Sequence, residues 1–207
     1  SDKLVIHDNL SGSYYFHVGF SSEMLKEGKE SPAAEQAPPP LCGKDFEGDY
    51  PAGTQFVGFE EADKNGAYCL SVEYTLDDIS KWGGLLTEMN KISGPKARKK
   101  DFNKSFLQEV AVTKEKEHVT VRRTLVLEEK EKPVPKGKDA KPGEDDEQMK
   151  KAFEDLFLGS ILFSYQVELP REPISSNATY REGKTLTWVV SLLSLMNQKK
   201  AVMEFTF

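Results

Sequence analysis

The chain predicts an α+β fold, an antiparallel β-sheet with two helices packed on one face. Three observations lead there. Apolar residues alternate with polar ones in segment after segment, the period of a half-buried strand. Two other segments carry apolar residues at spacings of three and four, the stripe of an amphipathic helix. Short turns built from Gly, Asn, Asp and Ser separate most neighbouring strands and join them antiparallel.

The first strands run from Leu4 to His7 and from Ser13 to Phe20, around the turn Asp8-Asn9-Leu10-Ser11-Gly12. In the second, Tyr14, Phe16, Val18 and Phe20 share a face. Residues 26–53 hold five of the eleven prolines and predict a long irregular excursion. Order resumes at Thr54 to Glu60. The turn Asp63-Lys64-Asn65-Gly66 leads to Ala67–Leu76, where Tyr68, Leu70, Val72, Tyr74 and Leu76 alternate. Asp77 then caps a helix that carries Asp78 in its first turn and Ile79, Trp82, Leu86 and Met89 along one face. Gly83-Gly84 inside it predicts either a kink or a close approach where a side chain would not fit.

Phe106–Thr113 and His118–Leu127 form an antiparallel pair, with Val110 and Val112 facing Val119, Val121, Leu125 and Leu127. Residues 128–151 carry 15 charges in 24 positions, too polar to offset their ordering entropy, so a flexible loop is expected at about 128–143. A second helix starts near Glu144, carries Met149, Phe153, Leu156 and Phe157, and ends at Gly159. Ile161 to Leu169 alternates until Pro170 closes it. An extended piece from Ile174 to Thr179, a turn at Arg181-Glu182-Gly183-Lys184 and a strand through Leu186, Trp188, Val190 and Leu192 follow. A turn at Asn197–Lys199 leads to the last strand, with Ala201, Met203, Phe205 and Phe207 on one face.

With 207 residues the whole chain, 1–207, is expected to form a single domain large enough to need no staples. A net charge of −6 argues against a nucleic-acid module, whose footprint is a basic face. The first residue is Ser, which is compatible with removal of a leader. Cys42 and Cys69 lack metal-cluster spacing; they either pair as a disulfide or stand as two separate thiols, and both readings stay open.

Few motifs carry chemistry. Gly183-Lys184-Thr185 lacks the earlier glycine of a phosphate loop, since Ala178 stands there, and a strand rather than a helix follows. His7, His17 and His118 sit in different segments without ligand spacing. No GxSxG occurs, and Glu144-Asp145-Asp146-Glu147 lacks the order of a calcium loop. No catalytic residue, metal site or cofactor is therefore expected. Asn9, Asn103 and Asn177 open N-x-[ST] triplets, which matter only in a glycosylating compartment. Lys96, Arg98, Lys99 and Lys100 concentrate positive charge on an acidic chain. They are either a solvated loop or a ligand site for anionic headgroups, worth about 1 kcal/mol per cation near such a surface.

Gly12-Ser13-Tyr14-Tyr15-Phe16 leading to Ser21-Ser22-Glu23-Met24-Leu25, the helix after Leu76-Asp77-Asp78, Val167-Glu168-Leu169-Pro170, and Ser175-Ser176-Asn177-Ala178 before Gly183-Lys184-Thr185-Leu186-Thr187-Trp188 together resemble the soluble domain of LppM-type bacterial lipoproteins. These segments cover about a third of the chain. The prolines of Ser31 to Pro40 and the charged loop at Glu128 to Gly143 depart from the pattern as insertions. The resemblance implies an extracytoplasmic domain at the bacterial envelope, tethered to the membrane by a lipidated cysteine upstream of Ser1. It also implies a helix-grip-like fold with an apolar cavity between sheet and helix, and no catalytic residues.

The expected function is thus non-enzymatic binding of a lipid or other amphiphile at the cell envelope. Tyr14, Phe16, Tyr74, Phe163, Tyr165 and Trp188 are the residues available to line a pocket. The alternative is a protein-interaction or structural envelope module with no small-molecule ligand.

Overall fold

The computed structural model describes residues 1–21, 43–48, 50–64, 67–93, 104–129 and 159–207. Two sheets organise them. The first contains β1 (Asp2–Ile6), β2 (Gly12–Ser21), β3 (Thr54–Lys64), β4 (Ala67–Leu76), β7 (Leu162–Glu168), β9 (Tyr180–Glu182) and β10 (Thr185–Ser191), in the order β3-β4-β2-β1-β7-β10-β9. The second contains β5 (Lys104–Lys114), β6 (Val119–Glu129), β8 (Ser175–Ser176) and β11 (Lys200–Thr206), in the order β5-β6-β11-β8. The helices are α1 (Trp82–Ser93), between β4 and β5, and α2 (Leu192–Gln198), between β10 and β11. Among the described residues no helix is long and apolar enough to cross a membrane.

The α+β class is observed, with two corrections. Two sheets form where one was expected. The first of them is mixed, because β1 pairs antiparallel with β2 and parallel with β7, Leu4 standing opposite Tyr14 on one side and Val167 on the other. Side chains alternate with period two in either kind of ladder, so a hydrophobic pattern carries no sign of strand direction. The same pattern shows which face is buried and is silent about what buries it.

The inward faces match the alternation closely. Leu4 and Ile6 of β1, Leu70, Val72, Tyr74 and Leu76 of β4, and Leu186 and Trp188 of β10 are buried. Facing them from the second sheet are Val121 and Leu125 of β6 and Met203 and Phe205 of β11. The Trp188 and Phe205 rings lie 5.8 Å apart and join the two layers. Asn177 stitches the same seam. Its side-chain oxygen accepts from Trp188 Nε1 and from the Glu204 backbone N–H, each at 2.8 Å, while its amide donates to the Val202 carbonyl at 2.9 Å. The asparagine of one N-x-[ST] triplet is thus consumed by the fold.

Local chemistry explains the helices. Asp78, not Asp77, caps a 3-10 turn (Ile79–Lys81) by accepting from the Ser80 N–H at 2.9 Å, and α1 follows directly. Ile79, Trp82, Leu86 and Met89 are all buried, as their spacing predicts. The glycine pair serves close approach: a Cβ on Gly83 would meet the Val110 carbonyl at 3.3 Å, and one on Gly84 would meet Pro51 at 3.4 Å. In place of a simple turn after β10, α2 intervenes, capped by Ser191 and ended by Lys199 in the left-handed region at φ 59°. Residues 144–158 of the second predicted helix lie outside the described residues. So do Asn65-Gly66, most of residues 26–53 and the loop at 130–143. Within 26–53, however, Gly43–Phe46 forms a 3-10 turn whose Phe46 is fully buried, 5.7 Å from the Phe16 ring.

Two predictions follow from packing and charge. Gly12 sits where an added Cβ would meet the Val5 carbonyl at 2.7 Å, whereas Gly58 has nothing within 4 Å. Gly12→Ala is expected to lower stability in urea unfolding by about 1–3 kcal/mol, and Gly58→Ala to change it by less than about 0.5 kcal/mol. Separately, partial burial pushes the Asp78 carboxyl up, but the Lys114 ammonium and the Ser80 hydrogen bonds outweigh it and bring its pKa to about 2. Because the folded pKa lies below the unfolded one, the contribution is complete above pH ~4 and is lost as pH falls toward 2. Lys114→Met is expected to flatten that part of the stability-against-pH curve, its loss of stability relative to wild type being full above pH ~4 and fading toward pH 2 in urea unfolding across pH.

Candidate ligand cleft

Between α1, the inner face of the first sheet and the β5–β6 pair lies a cleft of about 450 Å³. Leu86 and Met89 of α1 form one wall. Phe16 and Val18 of β2, with Phe46, form a second, and Phe163 with Ile161 a third. Leu125 of β6 reaches in from the second sheet. Polar groups gather at one place: Asp2, Tyr14, Tyr165, Gln108 and Asn90.

That polar cluster surrounds Arg123, which stands behind the cleft wall and is 2% exposed. Its Nη2 donates to Asp2 Oδ2 at 2.7 Å, and its Nε donates to Gln108 Oε1 at 3.2 Å. The guanidinium carbon lies 4.3 Å from the Tyr165 ring centre and 5.0 Å from that of Trp82. Strand register produces this meeting. Asp2 lies on the same face of β1 as Leu4 and Ile6, and the parallel pairing sets it beside Tyr165. Arg123 lies on the inward face of β6 between Val121 and Leu125, opposite Val110 of β5.

The electrostatics follow from that burial. Burial disfavours the Arg123 charge and is the largest single influence, but the Asp2 carboxylate together with the Tyr14 and Tyr165 hydroxyls outweighs it, and the net shift is upward. Tyr14 is pushed well above its usual range, first by burial and then by the Asp2 carboxylate, to which its hydroxyl bonds. Tyr165 is pushed up as well, again mainly by burial. Both phenols are therefore neutral donors at physiological pH. His17, at the edge of the cleft, is held below 6.5 first by burial and then by nearby positive charge, so it is neutral there too. The cleft presents apolar walls and a polar end whose two opposite charges already satisfy each other.

A larger trough of about 870 Å³ lies across the molecule, between Asp8, the β5–β6 turn and Pro170–Glu172. Its walls mix acidic Glu115, Glu117 and Glu172 with basic Lys116 and Arg171, and Arg171 already donates to the Glu117 carbonyl at 2.7 Å. Leu10, Val119, Ile174 and Phe207 give it apolar wall as well, but it is a more open depression than the cleft, with charged side chains of both signs along it, and it encloses a ligand less. Among the described residues, no three His, Cys, Asp or Glu side chains converge as a metal site would require.

Of the aromatics expected to line a pocket, Tyr14, Phe16, Phe163 and Tyr165 do so. Tyr74 and Trp188 instead fill the core; Tyr74 accepts or donates a 2.9 Å hydrogen bond with Tyr50. Lys96, Arg98, Lys99 and Lys100 lie outside the described residues. Cys42 does too, and with it the question of a disulfide; Cys69 is half-buried in β4. Sequence reasoning passed over Arg123, Asp2 and Gln108. The signal was present: Val119, Val121, Arg123, Leu125 and Leu127 place an arginine on an otherwise apolar face.

No family model matches the chain, and no curated protein sequence does. Among solved structures, the folded domain of the Mycobacterium tuberculosis LppM protein, determined by NMR, superposes with a TM-score of 0.50. The match has 8% sequence identity and covers 99% of this chain and 85% of that one. At that identity the likeness is one of fold.

The ion pair yields a direct test. Asp2→Ala leaves the Arg123 charge buried and unpaired, and is expected to lower stability by about 3–5 kcal/mol. Asp2→Ala combined with Arg123→Met removes both charges and is expected to cost clearly less than the two single changes, Asp2→Ala and Arg123→Met, added together. Urea unfolding of the four proteins measures the coupling; additive losses would show that the pair does not act as a unit.

Proposed function

We propose that the chain is a non-enzymatic, extracytoplasmic lipoprotein domain that holds a lipid or other amphiphile at the cell envelope. The cleft of about 450 Å³ carries this reading, since its size lies within the ~300–1,000 Å³ usual for ligand pockets and its walls are mostly apolar. An acyl chain is the occupant that uses those walls best. Each methylene removed from water contributes about 0.8 kcal/mol before ordering costs. The Asp2–Arg123 pair adds little net attraction for a charged ligand because each already neutralises the other. Asn90, Gln108 and Tyr165 remain as neutral hydrogen-bonding groups for a polar end.

The fold likeness to the LppM folded domain and the Ser175-Ser176-Asn177-Ala178 segment support an envelope setting. In this reading α1 is the gripped helix of a helix-grip-like arrangement. The tether is a lipidated cysteine upstream of Ser1, and Lys96, Arg98, Lys99 and Lys100 meet anionic headgroups.

A fluorescent fatty acid added to the purified protein tests the reading. Wild type is expected to bind it in saturable fashion. Val18→Trp, which fills the cleft from its wall, is expected to weaken binding about tenfold or more. Val57→Trp, on the exposed side of β3, is expected to leave it unchanged, and near-UV circular dichroism reports that both variants fold. Absence of saturable binding by wild type, or equal binding by Val18→Trp, contradicts an amphiphile site in this cleft.

A further inference from the structure

We propose that the surface beside the cleft mouth rests on a lipid bilayer, so that an amphiphile passes between bilayer and cleft without crossing water. The proposal builds on the amphiphile reading of the cleft. Its observation is Leu162, which is 61% exposed on β7 and borders both the cleft and a second groove of about 670 Å³. That groove runs between the end of β10, α2 and the start of β11. Val189, Ala201 and Val202 line it together with the neutral polar side chains of Ser191, Ser194 and Gln198, and Val189 is 36% exposed. The cleft's apolar lining therefore continues onto the outer surface through one side chain.

Charge selects the partner. No carboxylate lines the groove among the described residues, and the exposed Lys200 supplies a cation, on a chain whose net charge is −6. Exposed Leu162 and Val189 beside neutral hydroxyl and amide groups, with one cation and no acidic group among the described lining residues, fit the boundary between acyl chains and anionic headgroups. Ile174, nearly as exposed at 59%, lies in the trough beside Glu172 and Glu117 and lacks that setting.

Flotation with phosphatidylcholine vesicles containing phosphatidylglycerol tests the proposal. Val189→Asp combined with Lys200→Glu alters the groove at positions that do not line the cleft. It is expected to reduce vesicle association about tenfold or more and to leave binding of a soluble fluorescent fatty acid unchanged. Ile174→Asp is expected to change neither. Equal flotation of wild type and the double variant, or no flotation of wild type, overturns the membrane-facing surface. Failure of wild type to bind the soluble fatty acid instead overturns the cleft reading beneath it, so the two failures are told apart.

Discussion

Arg123 stands on an apolar strand face, at a position where the pleat turns its side chain into the interior, and its neighbours are arranged to accept the charge. Asp2 comes from the other sheet to pair with it, Gln108 from the adjacent strand accepts from it, and the rings of Tyr165 and Trp82 lie against its guanidinium. Apolar burial drives the layers together without specifying how they align. A buried charge does specify it, because any slip that separates Arg123 from Asp2 leaves an ion without water or partner. The parallel insertion of β7 beside β1 belongs to the same constraint, since it sets Tyr165 next to Asp2.

The cleft exists because that constraint holds the sheets and α1 in a fixed relation. Gly83 lets the helix approach β5 closely, with Val110 occupying the space a side chain would need. Trp82, one residue earlier, closes over Arg123 and Tyr14, their rings 6.0 Å apart in the latter case. Further along α1, Leu86 and Met89 face the walls formed by Phe16 and Phe163 without filling the gap between them. The packed end of the helix thus supports the open end. Neutral phenols and a self-satisfied ion pair at the polar end offer a compact anion little, and it is on this ground that an acyl chain is proposed as the occupant.

Much of the fold was legible from periodicity. The inward faces of β2, β4, β10 and β11 and the stripe of α1 follow from alternation and from spacings of three and four. Direction and layering were not legible, since a period of two is common to parallel and antiparallel ladders and says nothing of the opposing layer. The short α2 was hidden because Leu192, Leu193, Leu195 and Met196 extend an apolar run already read as strand. In the cleft, the aromatic walls were anticipated and the charged centre was not. Arg123 looks like an ordinary surface residue beside Arg122 until the register is counted, and then it falls on the buried side while Arg122 points to solvent near Glu204.

Intermolecular NOEs test the central claim most directly. With a ¹³C-labelled fatty acid bound to methyl-labelled protein, contacts are expected from the acyl chain to the methyl groups of Val18, Leu86, Met89 and Leu125. Contacts confined to Leu10 and Ile174 in the charged trough, or none at all under saturating ligand, would contradict a lipid-holding cleft between α1 and the two sheets.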